Sequence, residues 1–143
     1  MLFSHAAEYA VRAMTFLATQ PAGKLTGARE ISQAEQIPMA FLWKILQTLA
    51  RRKLIRSFKG LRGGYELAYP ADQITLNMIL MATDSGDLLE NCVLGLPQCS
   101  EENACPLHHT WKEIRTSLAA MLEQNTLSDL AAVAGKRGRR KAP

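Results

Sequence analysis

The stretch Phe41-Leu-Trp-Lys-Ile-Leu-Gln-Thr-Leu49, followed by Leu54-Ile-Arg-Ser-Phe58, Lys59-Gly-Leu-Arg-Gly-Gly64 and Tyr65-Glu-Leu-Ala-Tyr69, changes its apolar period from 3.6 to 2 along its length. The first part puts Phe41, Leu42, Ile45, Leu46 and Leu49 on one helical stripe, expected to face a core. Ile37-Pro38 opens this helix, because proline at a first helical position costs no hydrogen bond and presets φ. Met39, Ala40, Trp43, Lys44, Gln47, Arg51 and Arg52 fall nearer the outside, although the Trp43 ring could equally extend the core. The second part reads as two short strands, 54–58 and 65–69, joined by a glycine-rich turn and ended by Pro70.

Upstream, Tyr9, Ala13, Phe16 and Leu17 give residues 5–19 an amphipathic helical pattern, with Ser4 as N-cap and Pro21-Ala-Gly23 as the turn after it. A short helix is expected to start from Thr26 as N-cap and to run through Ala28 and Ile31 to about Glu35. Helix, short helix, helix and hairpin is the order of a winged helix-turn-helix, whose third helix enters the major groove while the hairpin flanks it. The expected fold class is therefore mostly α with a small two-stranded β wing.

Downstream, a helix is expected from about Thr75 to Thr83, and residues 84–105 form a long stretch without consistent period that holds all three cysteines. Pro106 then opens the longest helix. Its Leu107, Trp111, Ile114, Leu118, Met121 and Asn125 alternate by fours and threes over about 2.5 heptads, too short a seam to stand alone and suited to a dimer contact. Trp111, Ile114, Leu118 and Met121 are the expected dimerisation residues. Thr126-Leu-Ser-Asp129 resembles a capping box and starts a last helix to about Ala134. The resulting division is 1–72, a winged helix-turn-helix DNA-binding domain; 73–105, a linker helix and cluster-binding loop; 106–134, the dimerisation helix and C-terminal helix; and 135–143, a disordered basic tail.

Charge is segregated along the 143 residues, whose net value is only +4. Residues 36–65 hold seven bases and no acid, residues 63–111 seven acids and no Lys or Arg, and the last eight residues five bases. A basic run on a helix is ordinarily just a solvated face, but here it coincides with the third helix and the wing. That coincidence points to double-stranded DNA, because each neutralised phosphate releases condensed counterions. Met39, Ala40, Trp43, Lys44 and Gln47 face the groove on this reading, while Arg51, Arg52, Lys53 and Arg56 reach phosphates. Lys59 and Arg62 at the wing tip suit the negative potential of a minor groove.

Met1-Leu2-Phe3-Ser4-His5 lacks the basic and then apolar pattern of a secretory signal, and no apolar run approaches the ~18 residues of a membrane span. The expectation is a cytoplasmic protein without membrane association. Reducing conditions there direct the reading of Cys92, Cys99 and Cys105 toward metal or redox chemistry rather than disulfides. Six and five residues separate them, and His108 follows Cys105 by three. Structural zinc sites prefer tight Cys-x(2–4)-Cys knuckles, which are missing, whereas a cluster spreads its ligands over a wider footprint. Iron–sulfur binding is expected, with zinc and metal-free redox thiols as alternatives. His108, Glu8 and His109 compete for a fourth position.

Glu8-Tyr-Ala-Val-Arg-Ala13, Phe41 to Leu49, Leu54-Ile-Arg-Ser57 with Gly60-Leu-Arg-Gly-Gly-Tyr-Glu-Leu67, the three cysteines, Cys105-Pro-Leu-His108-His-Thr-Trp111 and Thr126-Leu-Ser-Asp-Leu130 together resemble the Rrf-two family of bacterial winged-helix regulators. The resemblance covers nearly the whole chain before the tail. It implies a homodimer with crossing long helices, a cluster bound by the three cysteines, and DNA affinity governed by cluster state. His108 matches the histidine ligand to a 2Fe-2S cluster in one branch of the family. Glu8 matches an acidic ligand reaching across the dimer in nitric-oxide-sensing members. Between the two, a 4Fe-4S cluster is preferred over 2Fe-2S. The Cys92 to Cys99 spacing is one residue longer than the five-and-five pattern of several cluster-binding members; Lys59 and Leu61 differ from the cluster-assembly branch, and so does Trp43, so the operator should differ too.

The expected function is a DNA-binding repressor, not an enzyme, sensing nitric oxide, redox state or iron and cluster supply, and acting on a palindromic operator with half-sites about one helical turn apart. A metal-free thiol-switch or zinc-containing regulator is the alternative within regulation. An iron–sulfur electron carrier is the alternative outside it, and leaves the basic winged helix unexplained.

Overall fold

The computed structural model describes residues 3–84 and 87–137. Helix α1 (His5–Thr19) begins at Ser4, whose hydroxyl accepts from the Ala7 N–H at 3.0 Å. Helices α2 (Ala28–Glu35) and α3 (Met39–Arg51) follow, then strands β1 (Ile55–Phe58) and β2 (Gly64–Leu67), a 3-10 turn at Ala71–Gln73, α4 (Leu76–Asp84), one turn of helix α5 (Asp87–Glu90), α6 (His108–Gln124) and α7 (Leu127–Arg137). The strands pair antiparallel with Ile55 opposite Leu67 and Phe58 opposite Gly64. This is the winged helix-turn-helix order, mostly α with a two-stranded wing.

The core gathers on one side of α1. Ala10, Ala13, Met14 and Leu17 meet Ile31 of α2, Leu42, Ile45, Leu46 and Leu49 of α3, and Leu54, Ile55, Ile74, Ile79 and Leu127. Ala10 and Ala13 carry side chains small enough for α2, α3, α4 and α7 all to pack on this one helix. Tyr9 and Phe16, expected on the α1 stripe, lie at the border of that core and are partly buried.

Phe41 is a correction. It is 57% exposed, although its neighbour Leu42 is fully buried. Leu42, Ile45, Leu46 and Leu49 already complete an i, i+3, i+4, i+7 stripe, and Phe41 sits about 100° off it. Its ring lies 6.3 Å from that of Tyr9, under which Arg12 supplies a cation at 5.5 Å. Leu42→Ala is accordingly expected to destabilise the fold by about 2–5 kcal/mol, and Phe41→Ala by about 1 kcal/mol or less. Urea unfolding of the two variants checks the order.

Thr26 does not cap α2; Gly27 occupies that position without a side-chain bond. The backbone of Thr26 is instead engaged by the wing, with its N–H donating to Tyr65 at 3.0 Å and its carbonyl accepting from Tyr65 at 2.8 Å. This bridge turns the side chain inward, where it is fully buried. It also explains Gly64, at φ +151°, where a Cβ would come within 2.9 Å of the Thr26 backbone. At Gly63 an added Cβ would fall 2.1 Å from the Phe58 carbonyl oxygen, so the wing turn closes too tightly for any side chain there.

The capping box at Thr126 forms reciprocally. The Thr126 N–H donates to Asp129 Oδ2 at 2.9 Å, and the Asp129 N–H donates to the Thr126 hydroxyl at 3.3 Å. A second bridge, Thr75 with Thr126, ties the start of α4 to the start of α7. The basic tail expected from residue 135 begins inside α7, which continues to Arg137; residues 138–143 lie outside the described residues.

A smaller cluster holds α6 to the body. Leu118 and Leu122 pack with Ala7 of α1 and Leu80 of α4, joined by Phe3, Leu76 and Leu89. The helix expected to open at Pro106 starts two residues later, at His108 with Leu107 as N-cap. Among the described residues, no helix is long and apolar enough to cross a membrane.

Candidate nucleic-acid interface and metal centre

On α3, Ala40, Trp43, Lys44, Gln47 and Arg51 are exposed, and Arg52 follows exposed at its end. Trp43 is 49% exposed, so its ring does not extend the core. Met39 packs partly against the core at the helix entrance. Lys53, at φ +62°, turns the chain out of α3 and into β1. On the wing, Lys59 and Arg62 are exposed in the turn between β1 and β2. Arg56 of β1 lies 3.3 Å from Glu66, directly opposite on β2. Its charge is thus already matched within the wing, whereas Lys44, Lys59 and Arg62 are exposed and form no ion pair among the described residues.

The second candidate site lies at the base of α6. The chain leaves α5 at Glu90, loops through the three cysteines and enters α6 at His108, whose N–H donates to the Cys105 carbonyl at 3.1 Å. This closure brings the thiols together. Cys92, Cys99 and Cys105 present Sγ atoms that all lie within 4.8 Å of one another, with Cys92 and Cys105 at 3.8 Å. All three are free and partly buried. His108 Nδ1 stands 3.3 Å from Cys99 Sγ. A cavity of about 250 Å³ opens beside them, lined in part by Val93, Leu107 and Trp111.

The loop is tied down from α6. Trp111 Nε1 donates to the Asn91 carbonyl at 3.0 Å, and the Arg115 guanidinium to the Glu90 carbonyl at 3.2 Å, so both carbonyls just before Cys92 are held. Cys92 itself has its thiol pKa held below the ordinary value by hydrogen bonds from the backbone at Leu96 and Leu94. At Cys99 the backbone at Cys105 favours the thiolate, but partial burial and the two neighbouring thiols outweigh it and raise the pKa. Glu101 is held below the usual carboxylate range by Lys112 and then by His108. Three sulfurs so close cannot all carry charge without a cation between them, which is the chemistry of a thiolate metal centre.

Glu8 is placed apart from this centre. It faces a separate, apolar cavity with Phe3, Val11, Leu76, Leu80 and Leu130, and its carboxylate lies 4.0 Å from His5 Nδ1. Of the expected dimerisation residues, Ile114 and Met121 are exposed, Leu118 is buried within the protomer, and Trp111 serves the cysteine loop.

The profile of the Rrf2 (Rrf-two) family, described as an iron-dependent transcriptional regulator, matches residues 3–133. The chain belongs to this family. Curated Rrf2-like relatives agree. A protein of Aquifex aeolicus named only as an HTH-type transcriptional regulator is 34% identical over 132 residues, covering 91% of both chains. The regulator NsrR of Halalkalibacterium halodurans is 30% identical over 124 residues, covering 86% of this chain and 85% of its own. Among solved structures, CymR, the global cysteine regulator of B. subtilis, superposes with a TM-score of 0.77 at 25% identity, covering 91% of this chain and 95% of that one. The Rrf2 membership makes the chain a transcriptional regulator and not an enzyme.

Sequence reading of the Rrf2 chain missed Glu101 and Arg115. Glu101 lies in an aperiodic loop where no spacing signals a partner, and Arg115 looks like an ordinary solvated position on α6.

Proposed function

We propose that the chain is a cytoplasmic, homodimeric repressor whose affinity for a palindromic operator is set by an iron–sulfur cluster bound at Cys92, Cys99 and Cys105. The observation that carries this reading is the convergence of three free thiols within 4.8 Å in a member of a family described as iron-dependent. When bound, the cluster would supply a centre whose charge and integrity respond to nitric oxide, oxidants or iron supply. Ala40, Trp43, Lys44 and Gln47 would then read bases, with Met39 shaping the entrance of α3. Arg51 and Arg52 would position phosphates, Lys59 and Arg62 would reach the minor groove, and Arg56 would join the phosphate contacts only by leaving Glu66.

The four candidate donors fall into two pairs. Cys92 and Cys105 lie 3.8 Å apart, the separation of two thiolates on one tetrahedral metal with bonds of about 2.3 Å. Cys99 and His108 form the second pair at 3.3 Å. Three thiols and an imidazole would serve a cluster of either type, the 4Fe-4S centre preferred from the sequence or a 2Fe-2S centre. The same compactness favours a second reading, a single zinc ion held by these donors.

Trp111 and Arg115 would transmit the state of the loop to α6, and Leu118 and Leu122 would pass it to α1 through Ala7. Since α1 also carries the packing of α3, a shift of α6 changes the spacing of the two recognition helices in the dimer. The exposed Ile114 and Met121 would form the seam between protomers.

Visible absorption of the protein purified without oxygen, with iron and sulfide assays before and after stoichiometric nitric oxide, tests the reading. A brown protein that bleaches supports it. A colourless protein that resists reconstitution overturns it, and zinc by elemental analysis would install the second reading.

A further inference from the structure

Glu101 lies two residues beyond Cys99 and is surrounded by basic side chains of α6. Its Oε1 stands 3.4 Å from His108 Nε2 and is paired with Lys112, while its Oε2 lies 4.0 Å from His109 Nδ1. The His108 side chain is only 13% exposed. Its Nε2 is buried and makes no hydrogen bond among the described residues, so the Glu101 carboxylate meets it as an ionic contact at 3.4 Å. The opposite ring nitrogen, Nδ1, is the one 3.3 Å from Cys99 Sγ.

We propose that Glu101 is a positioning residue that holds the ring of His108, the histidine ligand the family resemblance implies, with its Nδ1 lone pair toward the cysteine triad. The inference rests on the reading of the triad as a cluster site. A neutral imidazole carries one N–H and one lone pair, so a carboxylate facing Nε2 keeps the proton there and leaves Nδ1 free to donate. A carboxylate behind a ligating histidine also fixes the ring plane and raises its donor strength. Lys112, one turn along α6 from His108, anchors Glu101 and so ties a loop carboxylate to the helix that carries the ring. Glu8, on α1 and in a different cavity, has no comparable support on this protomer.

The test uses full-length chain labelled with 15N-histidine and reconstituted with iron and sulfide without oxygen. Pulsed EPR of the reduced cluster is expected to show a directly bound histidine nitrogen, lost in His108→Ala. Glu101→Gln keeps an oxygen facing Nε2 and should retain the coupling. Glu101→Ala should weaken it and release iron to a chelator about ten-fold faster. His109→Ala should match the unmodified chain. A cluster without histidine coupling, or a Glu101→Ala variant identical to the parent in coupling and iron release, overturns the proposal. If the parent forms no cluster, the cluster reading fails separately. The metal-free chain then decides the positioning role: the His108 Nε2 proton should exchange with water several-fold faster in Glu101→Ala, and equal exchange overturns it. Glu101 is exposed and outside both core clusters, so far-UV circular dichroism should stay unchanged.

Discussion

Replacing Cys92, Cys99 and Cys105 together by alanine is expected to give a folded, colourless protein whose DNA affinity no longer responds to nitric oxide or iron. The expectation follows from where the cysteines sit. None belongs to either core cluster, and the loop that carries them is anchored by Trp111, Arg115 and the entry to α6 rather than by the thiols. Removing three partly buried sulfurs therefore leaves the apolar packing of α1, α3 and α4 intact. Cluster formation should be abolished, because a single remaining histidine cannot hold iron. Far-UV circular dichroism and thermal unfolding separate this outcome from its opposite. A variant that loses its helical signal would mean that the metal is a structural requirement rather than a sensing group.

Replacing Arg51, Arg52 and Arg62 together by alanine is expected to weaken operator binding by about 10²- to 10³-fold at 0.1 M salt. Each phosphate contact contributes about 0.9 to the slope of log affinity against log salt, so the slope should fall by nearly three. Most of the loss should be shared by all sequences, since Arg51 and Arg52 lie at the end of α3 where phosphates are within reach and Arg62 adds its charge at the minor groove. Gln47→Ala should behave differently, losing about ten-fold on the preferred operator and less on scrambled duplex. Fluorescence anisotropy titrations at several salt concentrations distinguish the two patterns. An unchanged salt slope in the triple variant would move the DNA face away from α3 and the wing.

The winged-helix half was legible because its signals are local. The change of period between Leu49 and Leu54 marks helix against strand, and Gly63 and Gly64 mark a wing turn that tolerates no Cβ. Phe41 misled because an apolar residue beside a stripe looks like part of it, whereas Leu42, Ile45, Leu46 and Leu49 complete the buried stripe without it. Thr26 misled for a related reason: a capping threonine and a threonine in a β-bridge look alike until Tyr65, far along the chain, is placed beside it.

In the cysteine loop, residue types announced the chemistry but not the geometry. Three cysteines with a following histidine point to a metal, yet nothing in their spacing pairs Cys92 with Cys105 or Cys99 with His108. Those pairs depend on how the chain closes back onto α6. The heptad pattern of α6 likewise could not divide its apolar residues between two surfaces. Leu118 and Leu122 turn inward to Ala7 and Leu80, while Ile114 and Met121 remain outside, and the expected seam is split between them.

The most direct measurement compares operator affinity of the same preparation with the cluster loaded and after its removal by nitric oxide or chelation, both without oxygen. Control of the regulator by its cysteine centre predicts affinities differing by at least ten-fold, with the difference absent in the triple cysteine variant. Equal affinities for the loaded and stripped protein would contradict it, leaving a DNA-binding protein whose metal does not govern it.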